Sequence, residues 1–403
     1  ISVAIIIFFI RRGWELYAVL PLAIIALAIS NGISLKGNLS ILYSSITSST
    51  SFFLLSMVFA VFILSYIHQK IGAMDELVES IRTLIKDPRA LLITFPATIS
   101  LLSSVPGGAV VSAPMVEKTG ETINMPSLQL ATTNMVYRHL VVPITPFNTE
   151  LILISSITGI SIGHYLGYTI PVILIVFIIS SFILLPRRLT IESEMDGNKT
   201  NHKNALLILL KSASPYIVAI FLGLVCNVYF PLALLAGLAL TLLLNLPSTN
   251  KLNTLVERIM SLPHGLNWSL ALSTLAIVIY KDFIEEADSF LYLVHYLIEH
   301  GLPLIALIIL LPFITGFITG NHIAALGISL PVLMPMLNPG TYNISYFGLI
   351  YLSSYAGYLG SPVHMCTYLT NEYFKTSLFS LLKKVNAYGL IIIFVSIVFS
   401  MIL

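Results

Sequence analysis

Arg138 and His139 stand side by side in an otherwise apolar stretch that runs into Pro143. An ionisable side chain within a membrane costs roughly 3 kcal/mol or more, so it turns toward a cavity or a partner. Arginine keeps its proton and offers a planar fork of donors, which suits a carboxylate, a phosphate or a similar oxyanion. Two blander readings compete: Glu150 could pair with Arg138 and hold the segment together, or the side chain could snorkel to an interface. His322 and His364 also sit beside Gly- or Pro-containing breaks. Imidazole titrates near neutral pH, so each of the three histidines is a candidate proton carrier, substrate donor or metal ligand, or is simply hydrogen-bonded to a neighbouring carbonyl. Metal binding is the weakest of these options and no metal site is assigned, because no paired His/Asp/Glu spacing falls on one helical face. Cys226 and Cys366 lack CxxC spacing and read as buried free thiols.

Two glycine-containing turns lie near these groups, Pro106-Gly107-Gly108 and Thr319-Gly320-Asn321-His322. Glycine allows unusual dihedrals and close approach, so backbone amides there can face an anion. Helix N-termini at chain breaks add partial positive charge, while C-terminal ends and freed carbonyls suit Na⁺. The candidate substrate contacts are Arg138, His139, Ser104, Gly107, Gly108, Asn134, Asn321, His322, Ser361 and His364. The candidate ion-coupling groups are Asn148, Glu150, Thr319 and Asn321. Tyr355 and Tyr358 could line a path or simply pack, and Lys211 reads as a snorkelling lysine. A Gly-rich Lys-Ser/Thr loop for ATP is absent, as is any recognisable nucleophile motif, so neither direct ATP drive nor an enzyme is expected.

The elements that must position these groups follow from composition. Hydrophobic residues make up 57% of the chain and charged residues 9%, against about 25% charged in a soluble domain. Mean hydropathy is +0.94. These values indicate an all-α polytopic membrane protein, and a net charge of +2 gives no reason to expect nucleic acid. Apolar spans are expected at about 1–10, 16–30, 51–67, 165–185, 205–230, 231–246, 267–281 and 388–403. Residues 1–10 lack a basic leader, so no cleavable signal peptide is expected, and the absence of an initial Met suggests that residues precede Ile1.

The two halves of the chain carry matched features. Pro96 to Pro114 is eighteen residues and Pro312 to Pro331 nineteen; Pro114 to Pro143 is twenty-nine and Pro331 to Pro362 thirty-one. An amphipathic arm precedes each stretch, basic in the first half (Lys70, Arg82, Lys86, Arg89) and mostly acidic in the second (Asp282, Glu285, Glu286, Asp288, Glu299). A first repeat is expected over 1–186, with a hairpin at about 90–118 and a broken helix at about 126–160. A second is expected over 205–403, with a hairpin at about 303–337 and a broken helix at about 344–374. Residues 187–204 would link them as a flexible segment. If each hairpin returns to its own side and each broken helix crosses, every basic cluster falls on one side. Residues 187–204 are then cytoplasmic and the C-terminus lies outside. Paired re-entrant hairpins and broken helices in opposite orientations are a secondary-transporter pattern.

The segments Ser104-Val-Pro-Gly-Gly-Ala-Val-Val-Ser-Ala-Pro114, Asn134-Met-Val-Tyr-Arg-His139, Thr319-Gly-Asn321 and Gly357-Tyr-Leu-Gly-Ser-Pro-Val-His364 resemble an integral membrane family of archaea and bacteria. That family is known as domain of unknown function number 401 and is grouped with the ion transporter superfamily. The resemblance covers nearly the whole chain. It implies a scaffold domain and a mobile transport domain in each protomer of a homodimer with elevator-like movement. The superfamily's dicarboxylate branch carries Ser-Asn-Thr at its hairpin tips, and neither tip here has that triplet, so dicarboxylate and sodium-site assignments do not transfer. The expected activity is secondary active transport of a small anion, an organic carboxylate or inorganic oxyanion, coupled to Na⁺ or H⁺ in the cell membrane without other cofactors. The alternatives are a cation/proton antiporter and, further off, a lipid-phosphate flippase.

Overall fold

In a computed structural model of the protein, the described residues are 2–10, 12–102, 108–186, 202–247, 249–286, 299, 301–337 and 344–402. Side chains within 102–111 lie outside the description. Every regular element among the described residues is helical.

The first half runs α1 (Ser2–Ile10), α2 (Leu16–Ser30), α3 (Leu35–Ile46), α4 (Ser49–Lys70) and α5 (Ala73–Leu84). It continues with α6 (Pro88–Leu102), α7 (Gly108–Glu121), α8 (Ser127–Leu140), α9 (Thr149–Thr158) and α10 (Ile162–Leu184). The second half runs α11 (His202–Ile220), α12 (Phe230–Leu244), α13 (Lys251–Ser261) and α14 (Trp268–Glu285). After it come α15 (Leu304–Thr319), α16 (His322–Leu333), α17 (Ile344–Leu359), α18 (Met365–Phe374) and α19 (Leu378–Ile402). The order α6–α10 thus recurs as α15–α19. Among the described residues, five helical segments are long and apolar enough to cross a bilayer, one of them the broken pair spanning Ser127–Thr158. The four hairpin helices are 12 to 16 residues long. At 1.5 Å per residue they reach about 18–24 Å, short of a bilayer core of about 30 Å.

The packing separates two groups of helices. In one, α2, α4, α11, α12 and α14 lie against one another, with α5 on α11. Helix α5 buries Ala73, Met74, Leu77, Ser80 and Ile81 and exposes Asp75, Glu76 and Arg82 on its other side. In the other group, α6–α10 and α15–α19 interlock across the halves: α7 and α8 pack on α18, α9 on α16, and α10 on α17 and α19. Contacts of α4 with α9 and α14 with α16 join the two groups.

Several expected boundaries move. Residues 31–50 contain a helix, α3, whose apolar stripe (Leu35, Leu39, Tyr43) is exposed. The connection around Lys251 and Arg258 likewise forms α13, which exposes Leu252, Val256 and Met260. Both have an apolar stripe beside polar residues, the form of an interfacial helix. The span expected at 205–230 ends in a π turn, Phe221–Val225, and Cys226–Tyr229 separate it from α12. The last helix starts at Leu378, ten residues before the expected start, with Lys383 and Lys384 exposed. Pro96, Pro114, Pro312 and Pro331 all lie inside helices. Most of the second arm lies outside the described residues.

Candidate functional site

The site forms where helices are interrupted. Helix α8 stops at Val141, a 3₁₀ turn covers Val142–Ile144, and α9 restarts after Asn148. Proline cannot donate an amide and its ring crowds the preceding turn, so Pro143 and Pro146 keep α8 and α9 from fusing. The second break, 360–364, carries Pro362 between α17 and α18. In the second hairpin, Gly320 (φ 58°) ends α15 in the left-handed region and Asn321 caps α16. A side chain at Gly320 would also meet Val363 Cγ2 at 2.7 Å, so the hairpin tip rests directly on the second break.

Between these interruptions lies a cavity of about 370 Å³, large enough for a small solute. Arg138, His139, Asn148, Glu150, Gly320, Asn321, His322 and His364 line it. Seven of the candidate residues, drawn from both halves, thus line one cavity together with Gly320. Asn148 Oδ1 accepts hydrogen bonds from the amides of Glu150 and Leu151 (3.1 and 3.0 Å), Asn267 Oδ1 from Leu270, and Asn321 Oδ1 from Ala324 (both 3.0 Å). His364 stands at the start of α18. Four helix N-termini thus open on one cavity, each carrying partial positive charge from its aligned peptides.

Arg138 is 6% exposed, which rules out snorkelling. Among the described residues the ion pairs are Lys70–Glu257, Arg89–Asp87, Lys281–Asp282 and Lys375–Glu372, so Arg138 and Glu150 share the cavity without pairing. Arg138 Nη1 is buried and has no hydrogen-bond partner among the described residues. The alternative of an Arg138–Glu150 tie is therefore corrected.

The histidine tautomers follow from their partners. His139 Nδ1 lies 2.7 Å from the Met135 carbonyl, which can only accept, so Nδ1 carries the hydrogen and Nε2 keeps its lone pair. The Ser354 hydroxyl donates to the Tyr351 carbonyl at 2.8 Å, so His322 Nε2, 2.9 Å away, must donate to Ser354 Oγ. That leaves His322 Nδ1 as an acceptor without a partner among the described residues. Neither ring nitrogen of His364 makes a hydrogen bond of good geometry, and the approach of the Leu359 backbone falls short of one. The His364 ring packs on Tyr358 (centroids 4.1 Å) and meets His139 edge-on (5.0 Å). Tyr355 binds the halves together here by donating to the His139 carbonyl at 2.5 Å.

Other expected contacts lie away from the cavity wall. Asn134 Oδ1 accepts from Ser112 Oγ at 2.7 Å, and Thr319 Oγ1 donates to the Thr315 carbonyl at 2.7 Å. Ser361 is buried, and its Oγ accepts from the Val363 amide at 3.3 Å. Ser104 and Gly107 lie outside the described residues, and Gly108 is described only as the start of α7. The structure adds Phe62, Asn267 and Cys366 to the wall. Asn267 was legible as a capping residue ahead of an apolar run; Cys366 had no local signal. Cys226 is exposed and Cys366 half-buried, so neither is the buried thiol expected. Ligand-type atoms of His139, His364 and Cys366 lie within 4.8 Å of one another, a grouping that local spacing could not reveal.

The family model described as "Protein of unknown function (DUF401)" matches residues 1–402. The chain belongs to that family. Among solved structures, the chain is similar to the YdaH transporter of Alcanivorax borkumensis, whose crystal structure is described as revealing an unusual topology. The TM-score is 0.60 at 13% identity, over 92% of this chain and 89% of that one. At that identity the likeness concerns the fold, and it agrees with a multi-pass membrane protein. No curated protein matches the chain in a sequence search.

Proposed function

We propose that this family member is a secondary active transporter of a small anion, a carboxylate or inorganic oxyanion, coupled to Na⁺ or H⁺. The observation that carries this reading is a buried guanidinium without a described carboxylate partner in a cavity faced by four helix N-termini. The guanidinium and the helix N-termini favour a bound anion, opposed in part by the Glu150 carboxylate and the C-terminal ends of α8 and α15 on the same wall. Glu150, in the first turn of α9, supplies a carboxylate for a coupling proton or cation, with Asn148 beside it. The recurring order α6–α10 and α15–α19 supports two repeats of inverted topology with re-entrant hairpins. The two packed groups support a scaffold and a transport unit that move past one another, in a homodimer, with residues 187–204 cytoplasmic and the C-terminus outside.

The cation/proton antiporter is the second reading, favoured by the same unpaired Glu150. Purified protein in a thermal-shift assay against an anion panel, with Na⁺ and pH varied, separates the two, because a ligand bound only to the native state raises its stability. The anion reading expects a specific anion to raise the melting temperature in wild type and not in Arg138→Ala. It is overturned if no anion does so while Na⁺ or pH shifts melting through Glu150 alone, with the response lost in Glu150→Gln and kept in Arg138→Ala.

A further inference from the structure

The grouping of His139, His364 and Cys366 is not needed to hold an anion, and its composition points elsewhere. The three residues come from two different breaks: His139 from the end of α8, His364 and Cys366 from the start of α18. Their ligand-type atoms are mutually within 4.8 Å. The Met135 carbonyl holds the His139 ring by Nδ1–H at 2.7 Å, which leaves Nε2 as a free lone pair. Backbone carbonyls orient metal-bound histidines in this way, fixing the tautomer and the ring direction. His364 is 2% exposed, and neither of its ring nitrogens has a hydrogen-bond partner of good geometry among the described residues. A buried imidazole without a partner costs free energy that a ligand would offset.

We infer that His139, His364 and Cys366 bind a divalent transition ion of the Zn²⁺ class. Two imidazoles and one thiolate are a borderline-soft donor set, which selects zinc-like ions over Na⁺, Mg²⁺ or Ca²⁺. Bond lengths of about 2.0–2.3 Å place ligands of a tetrahedral ion about 3.3–3.6 Å apart, so side-chain shifts of about 1 Å close the present spacing. Binding removes the Cys366 S–H proton to water and leaves a thiolate, which offsets part of the repulsion from Arg138 across the cavity. Three protein ligands leave a fourth position for water or a solute, the pattern of an open rather than a purely structural site. The assignment stands independently of which solute the protein carries.

Co²⁺ titration of the purified full chain tests it, with Cys226→Ser as the background so that Cys366 is the sole thiol. The expected result is one Co²⁺ per chain, visible bands of a four-coordinate ion and a near-ultraviolet thiolate-to-cobalt band, all bleached by Zn²⁺. The charge-transfer band disappears in Cys366→Ser, and His364→Ala weakens Co²⁺ binding by roughly tenfold or more. No saturable binding, or a band that survives in Cys366→Ser, overturns the proposal. Alkylation of Cys366 in the Cys226→Ser background needs no variant at the site itself. Zn²⁺ should slow it by about tenfold or more, and an unchanged rate overturns the proposal equally.

Discussion

At the scale of single residues, the argument rests on Arg138, and its geometry predicts more than loss of charge. A guanidinium binds an oxyanion through two parallel donors, whereas an ammonium is a single point of charge. Arg138→Lys therefore keeps the cavity's charge and loses the fork. Charge-assisted hydrogen bonds contribute about 1.5–3 kcal/mol each, so ligand affinity should fall by roughly 10- to 100-fold, with a smaller loss for a spherical halide than for a planar carboxylate. Equal losses for both anions, measured by calorimetry, would count against bidentate recognition. The type and burial of Arg138 were legible in the sequence because a charge in an apolar run has few explanations. Its freedom from Glu150 was not, since the two lie twelve positions apart, where no local pattern applies, and the 3₁₀ turn at Val142–Ile144 interrupts the helix between them.

At the scale of elements, the breaks depend on their caps. Asn321 Oδ1 satisfies the Ala324 amide at the start of α16, and losing such a cap costs about 1 kcal/mol. Asn321→Ala should destabilise the protein by about that much and weaken anion binding, whereas Asn321→Ser, which keeps an oxygen acceptor, should recover most of both; chemical denaturation and calorimetry check the two together. Helix α6 begins with a different device. Asp87 accepts from the Arg89 amide at 2.9 Å and its guanidinium at 3.1 Å, and that guanidinium, followed by the backbone amides, holds the Asp87 carboxyl below the usual range. A depressed carboxyl stabilises the fold above its unfolded pKa and loses that contribution as pH falls through the lowered value. Hydrogen exchange in the first turn of α6 should thus accelerate only below about pH 4, and Asp87→Asn should flatten that dependence. The breaks were readable from proline and glycine. Helices α3 and α13 were not, because a stripe of Leu, Tyr and Val between polar residues is too short to register as a span.

At the scale of the whole molecule, close backbone packing decides which parts can shift. Added side chains would strike the Ser354 carbonyl from Gly316 and the Phe313 carbonyl from Gly357, so α15 and α17 meet backbone to backbone. Theirs is the most extensive helix pairing among the described residues, an arrangement that small residues permit in membranes. Gly357→Val should force these helices apart, lower stability by roughly 1–3 kcal/mol through overpacking, and abolish anion binding by lifting the tip from the second break. Retained stability and binding would show that this seam is loose. Composition disclosed the membrane class and proline placement the interruptions, but the cross-half pairings of α7 with α18 and α9 with α16 are long-range. No local pattern encodes them, so the residues of the cavity wall could be named only as candidates.

The seam has a pharmacological corollary. The second hairpin meets α17 and the second break closely at Gly316, Gly357 and Gly320, so on the proposed transport reading that wall is expected to move as one piece. Under that same proposal, movement is expected along the part of the wall that Phe62, Asn267 and Leu270 line. If the protein carries a solute as proposed, a rigid apolar molecule held along that boundary is expected to block it without competing for the cavity, so that raising the solute concentration leaves the block in place.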